Sequence, residues 1–351
     1  MHVHTAGENL IVRRVVLAYN CSILSLMKAT CIAQSNLALI KYWGNRDDAL
    51  RLPATNSISF NLDGARTTTS VEFGDGQIDE VTLDGAAAPG VAARRITAQL
   101  DLLRARAQTK LRARVASRNN FPMAAGIASS ASGFAALTCA AAWALGLNLP
   151  ECELSCLARR GSGSAARSVP GGFVEWYAGE RDEDSFAESI APPEHWPLHD
   201  LVAIVSQSEK PVGSTEGHQR AQTSPLFQAR IAQVEVDLPL MRRAIRDSDF
   251  HTLGELAERD TLMMHAVMLT SQPSLLYWTA ETLAVMRAVR AWRNDGLACY
   301  FSIDAGPNVH VLTTQQASST ILQALQALPA VQAVLACNVG GGARRTDEHL
   351  F

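Results

Sequence analysis

The chain has 351 residues, enough for two domains or one large one, and its 47% apolar and 19% charged residues are those of an ordinary globular protein. A formal net charge of −3 excludes a general nucleic-acid or membrane-binding surface, but local anion pockets need only a few cations. The seven cysteines are odd in number and several sit in Ala/Leu-rich context, which reads as buried free thiols in a reducing, cytoplasmic compartment.

Arg13-Arg14 precede a largely apolar run over 15–26, too short to span a membrane. A charged start and a short apolar stretch suit a signal peptide, yet Ser25-Leu26-Met27-Lys28 lacks the small-residue cleavage pattern. Residues 1–26 are therefore expected to be an upstream extension, disordered or not native, with Met27 the natural start. Strands are predicted over 29–40, 57–62 and 67–73, the last from its β-branched run. A turn-rich hairpin region follows over 74–90. A helix over 94–110 puts Ile96, Leu100, Leu102 and Leu103 on one face and arginines on the other. A strand over 111–118 leads into Asn119-Asn120-Phe121-Pro122-Met123-Ala124-Ala125-Gly126-Ile127-Ala128-Ser129-Ser130.

That small-residue loop opens a helix over 130–147, apolar nearly all round and hence buried. Small side chains let backbone N–H groups close around an anion at the positive end of the helix dipole, and Ser129 and Ser130 add hydroxyls for phosphate oxygens or magnesium. No lysine follows the last glycine, so the loop is not of the Gly-x-x-x-x-Gly-Lys-Ser/Thr kind. A short helix follows over 150–159. It places Cys152 and Cys156 four apart, but no Cys/His cluster accompanies them and no zinc site is expected. The proline-rich stretch 190–198 marks a domain boundary, giving domains 27–195 and 196–351. A strand over 201–205, helices over 224–248, 252–270 and 274–294, strands over 299–303 and 310–313, and a last helix over 318–328 complete the chain.

Four further segments mix small and reactive residues. In Ile40-Lys41-Tyr42-Trp43-Gly44-Asn45-Arg46-Asp47, a strand-end lysine is placed to reach into a cleft; taken alone it is more often a snorkelling lysine beside a structural Trp. In Gly161-Ser162-Gly163-Ser164-Ala165-Ala166-Arg167-Ser168, one arginine among small residues is able to grip a carboxylate or phosphate with two parallel hydrogen bonds. In Asp304-Ala305-Gly306-Pro307-Asn308, a turn holds a strand-end carboxylate, though Asp in turns often only caps them. The polar loop Lys210-Pro211-Val212-Gly213-Ser214-Thr215-Glu216-Gly217 follows a buried strand. Together these suit an ATP-using enzyme acting on a small anionic metabolite.

The phosphate loop resembles that of the GHMP kinase superfamily. The Lys41-Tyr42-Trp43-Gly44, Ser162–Ser168 and Asp304–Asn308 segments are similar to those of the mevalonate diphosphate decarboxylase family, in order from about Ala29 to Gly340. The resemblance implies a two-domain α+β fold, GHMP-like first and ferredoxin-like second, with the active site in the interdomain cleft, and a homodimer without nucleic-acid or membrane partners. It implies ATP as co-substrate, Mg²⁺, and phosphorylation of the tertiary 3-hydroxyl of a phosphorylated mevalonate, followed by loss of phosphate and carbon dioxide.

By similarity, Asp304 lies beside that hydroxyl, Arg167 binds the C1 carboxylate, and Lys41 neutralises charge and tunes Asp304. Ala124, Ala125, Gly126, Ala128, Ser129 and Ser130 hold the ATP phosphates, with Ser130 at Mg²⁺. Tyr42, Asn45, Ser162, Ser164 and Ser214 meet the substrate. Relatives that only phosphorylate mevalonate lack an aspartate at position 304, so Asp304 favours the decarboxylase; a simple metabolite kinase of the same superfamily and a non-catalytic binding protein are the competing classes. The family usually has Lys where this chain has Asn45. That lysine reaches the substrate's diphosphate, so Asn45 favours a monophosphate substrate, unless Arg46 compensates, while family frequency favours mevalonate 5-diphosphate as the alternative.

Overall fold

The computed structural model describes residues 27–121, 129–208 and 212–351. The expectations for 1–26, and for Ala124, Ala125, Gly126 and Ala128, lie outside the described residues. In chain order the strands are β1 (Lys28–Ile40), β2 (Asn45–Asp47), β3 (Leu52–Pro53), β4 (Ser57–Gly74), β5 (Glu80–Leu83), β6 (Ala86–Ala87), β7 (Arg112–Asn119), β8 (Phe173–Trp176), β9 (Ala187–Ala191), β10 (Leu198–Ile204), β11 (Cys299–Ser302), β12 (Val309–Thr314), β13 (Ala333–Asn338) and β14 (Arg344–Thr346). The helices are α1 (Gly90–Ala107), α2 (Ser129–Ala144), α3 (Glu151–Gly161), α4 (Ser214–Arg220), α5 (Phe227–Arg246), α6 (Phe250–Thr270), α7 (Ala280–Asn294) and α8 (Ser318–Gln326).

Two sheets organise the expected α+β fold. The first runs β14-β1-β4-β7-β5-β6, with β8 and β9 extending it from the other end of β4. The second is antiparallel, in the order β11-β12-β10-β13. Strand β14 pairs with β1 through Thr30 and Thr346, so the chain's end returns to the first sheet.

The strands expected at 57–62 and 67–73 are one strand. Gln34 pairs with Arg66 and Ser35 with Leu62, so Asp63, Gly64 and Ala65 bulge out between them. The bulge docks on the second sheet, where Asp63 accepts from the Asn338 backbone N–H at 2.7 Å and from its Nδ2 at 2.9 Å. A Cβ on Gly64 would lie 2.6 Å from the Ala336 carbonyl oxygen, so only glycine permits this approach.

Helix α2 is buried, as its apolar circumference requires. With Ile96, Leu100 and Leu103 of α1 it packs on Ala29, Cys31, Val71 and Phe73 of the first sheet. A second core joins the sheets: Leu37, Leu39 and Phe60 meet Val202 and Ile204, capped by Leu238 and Met241 of α5 and Leu253 and Leu256 of α6. A third lies on the outer face of the second sheet beneath α7 and α8. The reactive ends of β1 and β11 therefore emerge where the two sheets meet.

Other departures have local causes. The helix expected from residue 274 starts at Ala280, because Thr279 and Thr282 form a reciprocal capping box there. Helix α4 begins within the polar loop expected over 210–217 and runs past it to Arg220, and 163–168 is a 3₁₀ turn rather than an open loop. The arginines of α1 do not all face solvent, since Arg104 is buried against Asp79. Cys31, Cys139, Cys299 and Cys337 are buried, but Cys152 is exposed and Cys156 half-buried, because α3 turns Leu154, Leu157 and Ala158 inward instead. Cys21 lies outside the described residues. Among the described residues no helix is long and apolar enough to cross a membrane.

Candidate active site

Strand β1 ends at a cleft of about 340 Å³ between the two sheets. Lys41, Tyr42, Ser129, Ser130, Ser162, Ser164, Arg167, Ser214 and Asp304, which lie far apart in sequence, all line it. Asn45 does not. It is buried behind Tyr42, where its Oδ1 accepts from the tyrosine hydroxyl and its Nδ2 donates to Asp48 at 2.8 Å. Arg46 turns away as well, donating to the carbonyls of Ala178 and Gly179.

Asp304 follows β11 and is fixed by a turn in which the Gly306 N–H donates to its carbonyl at 2.7 Å. Lys41 Nζ, 1% exposed, donates to Asp304 Oδ1 at 2.6 Å. Burial by itself would raise the Asp304 carboxyl. The charge of Lys41, with its hydrogen bond and the charge of Arg167, outweighs it and holds the group below the usual carboxylate range. Helix α6 supports both partners. Asp260 accepts from the Lys41 backbone N–H at 2.6 Å, and Arg230 donates to the Lys41 carbonyl at 2.9 Å while pairing with Asp260 at 3.0 Å. One residue on, Thr261 Oγ1 accepts from the Ile303 N–H at 3.3 Å.

Arg167 is buried and partly satisfied by the protein. Nε and Nη2 donate to Asn36 Oδ1 at 3.3 and 3.2 Å, and Nη1 donates to Ser57 Oγ at 2.6 Å. Of its five N–H groups, one remains on each terminal nitrogen, the geometry for an end-on carboxylate. Burial lowers its pKa to about 10, against the opposing charge of Asp304, so it stays cationic at neutral pH. Ser130 Oγ lies 3.1 Å from Ser162 Oγ, which ties the start of α2 to the Ser162–Ser164 segment.

Several cleft residues were invisible to pattern reasoning. Asn36 closes the polar run Gln34-Ser35-Asn36 inside a strand that is otherwise mostly apolar, the one local signal available. Arg51 follows a turn, and Arg95 looked like one more solvent-facing arginine of α1. Its guanidinium instead lies 4.9 Å from the centre of the Phe134 ring and donates to the Gly161 carbonyl at 3.1 Å. His218 stacks on Tyr42 at 4.0 Å between ring centres, and its Nδ1 accepts from the Gly44 N–H at 2.9 Å. That bond leaves the hydrogen of the neutral ring on Nε2. A second cavity, of about 190 Å³, adjoins the cleft and shares Arg95, Ser129 and Ser130 with it. Among the described residues the cleft presents four cationic side chains, Lys41, Arg51, Arg95 and Arg167, and one carboxylate, Asp304. It is built for anions. No group of three His, Cys, Asp or Glu among the described residues could hold a metal ion without help from a ligand.

Two family models match the chain: the diphosphomevalonate decarboxylase-like N-terminal domain over residues 33–187 and the mevalonate 5-diphosphate decarboxylase C-terminal domain over 200–344. A diphosphomevalonate decarboxylase of Aspergillus fumigatus is 38% identical over 327 residues, 87% of this chain and 81% of its own length. A phosphomevalonate decarboxylase of Haloferax volcanii is 40% identical over 293 residues, 83% of this chain and 89% of its own. A solved complex of MDDEF with MVAPP, AMPPCP and magnesium superposes with a TM-score of 0.85 at 39% identity, covering 91% of this chain and 98% of that one. The two-domain α+β fold is thus the fold of that structure.

Proposed function

The chain belongs to the diphosphomevalonate decarboxylase family, and we propose that it decarboxylates mevalonate 5-phosphate, using ATP to give isopentenyl phosphate, carbon dioxide, ADP and phosphate. The observation that carries the choice of substrate is Asn45. Where the resemblance implies a lysine for the second phosphate, this chain has a neutral side chain bonded to Tyr42 and Asp48 behind the cleft wall. Arg46, the one compensating cation suggested by the sequence, is turned elsewhere.

The residues divide the work as follows. Ser129 and Ser130, at the start of α2, and Arg95 meet the ATP phosphates, and the adjoining cavity takes the nucleoside. ATP brings Mg²⁺, which neutralises phosphate charge, and the Ser130 hydroxyl is the protein group offered to it. Asp304, already ionised and depressed by Lys41, is a weak base. It orients the tertiary 3-hydroxyl and takes its proton only as the γ-phosphoryl arrives. Arg167 holds the C1 carboxylate end-on. When the C3–O bond to phosphate breaks, the C1–C2 electron pair forms the C2–C3 double bond and carbon dioxide leaves. Ser162, Ser164 and Ser214 close the substrate side of the cleft.

The diphosphate substrate is the second reading, favoured by the name of the fungal relative. Steady-state kinetics on mevalonate 5-phosphate and mevalonate 5-diphosphate decide between them. The expected result is a higher kcat/KM on the monophosphate; a higher value on the diphosphate overturns the proposal.

A further inference from the structure

We propose that Arg51 is the specificity-determining cation of the cleft, holding the substrate's own phosphate as a single phosphomonoester. The inference rests on the reading of the chain as a decarboxylase of phosphorylated mevalonate, and deepens it.

It follows from accounting for the cleft's cations against the anions they must meet. The two substrates bring a carboxylate, a substrate phosphate and the phosphates of ATP. Among the described residues, Lys41 is committed to Asp304 at 2.6 Å. Arg167 is lodged on Asn36 and Ser57, within reach of the charge of Asp304, and keeps two N–H groups for a carboxylate. Arg95 lies over Phe134 of α2 and lines both the cleft and the adjoining cavity, on the nucleotide side. Of the described cations of the cleft, Arg51 remains for the phosphate of the substrate.

The position of Arg51 fits that duty. It sits on the β2–β3 hairpin with a left-handed backbone, φ 53°, uncommon for a residue with a side chain. Its Nε donates to the Arg160 carbonyl at 3.0 Å, which aims the guanidinium at the cleft it lines. Tyr42 lines the same cleft. Burial raises the Tyr42 hydroxyl pKa, and among the charges acting on that hydroxyl the largest is Arg51. Two residues on the same hairpin, behind the cleft wall, bear on the count of phosphates. Asn45 supplies no charge, and Asp48, bonded to Asn45, adds a negative charge that acts on the Tyr42 hydroxyl lining the cleft. One cation in the cleft with a carboxylate behind the wall favours a monoester over a diphosphate.

The test is steady-state kinetics of the wild type, Arg51→Gln, Arg51→Lys and Arg95→Gln, with ATP and with each phosphorylated mevalonate. Arg51→Gln is expected to raise KM for mevalonate 5-phosphate at least tenfold and leave KM for ATP within twofold. Arg95→Gln is expected to do the converse. Arg51→Lys keeps the charge, loses the Arg160 anchor, and should recover most of the affinity, which separates a charge effect from misfolding. An unmoved KM for the phosphorylated substrate in Arg51→Gln, or an equal rise in KM for ATP, overturns the assignment while the wild type remains a decarboxylase. A wild type that turns over neither phosphorylated mevalonate overturns the functional reading itself, and the assignment with it.

Discussion

Lys41 and Asp304 come from different sheets and meet at 2.6 Å, and each is intelligible only beside the other. A buried carboxylate alone would hold its proton more tightly; the charge and hydrogen bond of Lys41, with the charge of Arg167, reverse that. Asp304→Asn keeps the shape and removes the charge. Turnover should fall by on the order of 10³-fold, with nucleotide binding, followed by titration with an ATP analogue, unchanged. Residual carbon dioxide release near wild type would remove Asp304 from the reaction. At this scale the sequence was most legible where small residues surround a single reactive one, as around Arg167, because little else justifies such composition. It was least legible for Asn36, Arg51 and Arg95, whose local context is an ordinary strand, turn and helix. Asn45 marks a finer limit. Its identity was noticed from sequence, but only the bonds to Tyr42 and Asp48 place it behind the cleft wall.

Helix α6 is the element that holds the two reactive groups in register. Asp260 and Arg230, each 1% exposed in their ion pair, grip the Lys41 backbone at both its N–H and its carbonyl. Thr261, the next residue, receives the Ile303 N–H on the other sheet. Removing one partner of a fully buried pair leaves an unpaired charge, so Asp260→Ala should cost about 3–5 kcal/mol, measured by urea denaturation. A cost under about 1 kcal/mol would show that the pair is not supporting β1. Helical periodicity predicted α6 itself well, because an amphipathic stripe is a local property. It said nothing about which strand ends the helix would touch. The join of 57–62 and 67–73 into β4 failed for a related reason: Asp63, Gly64 and Ala65 look like a turn, and their use as a docking bulge depends on Ala336 and Asn338.

The molecule as a whole buries a titratable group that adds a pH dependence to its stability. His265, on α6 behind the Lys41–Asp304 pair, is driven down to about 3 from 6.5, first by burial and then by the charge of Lys41. The unfolded chain protonates this ring near 6.5, the folded chain only near 3. Stability therefore falls as pH drops through that window. His265→Gln should flatten the fall, removing up to ~1.4 kcal/mol per pH unit between those limits, read from urea midpoints at several pH values. Equal slopes in the two proteins would show that His265 is not held neutral.

Local patterns of apolar spacing, small residues and reactive side chains determined most helices and the short segments that carry chemistry, and the resemblance carried by those segments implied the α+β class. These depend on neighbours a few residues apart, and a single chain displays them directly. The tertiary structure alone decided that β4 is continuous, that Arg95 faces the cleft and Asn45 does not, and that α6 braces both reactive groups. Each of those depends on contacts between residues far apart in sequence, whose geometry no local pattern encodes.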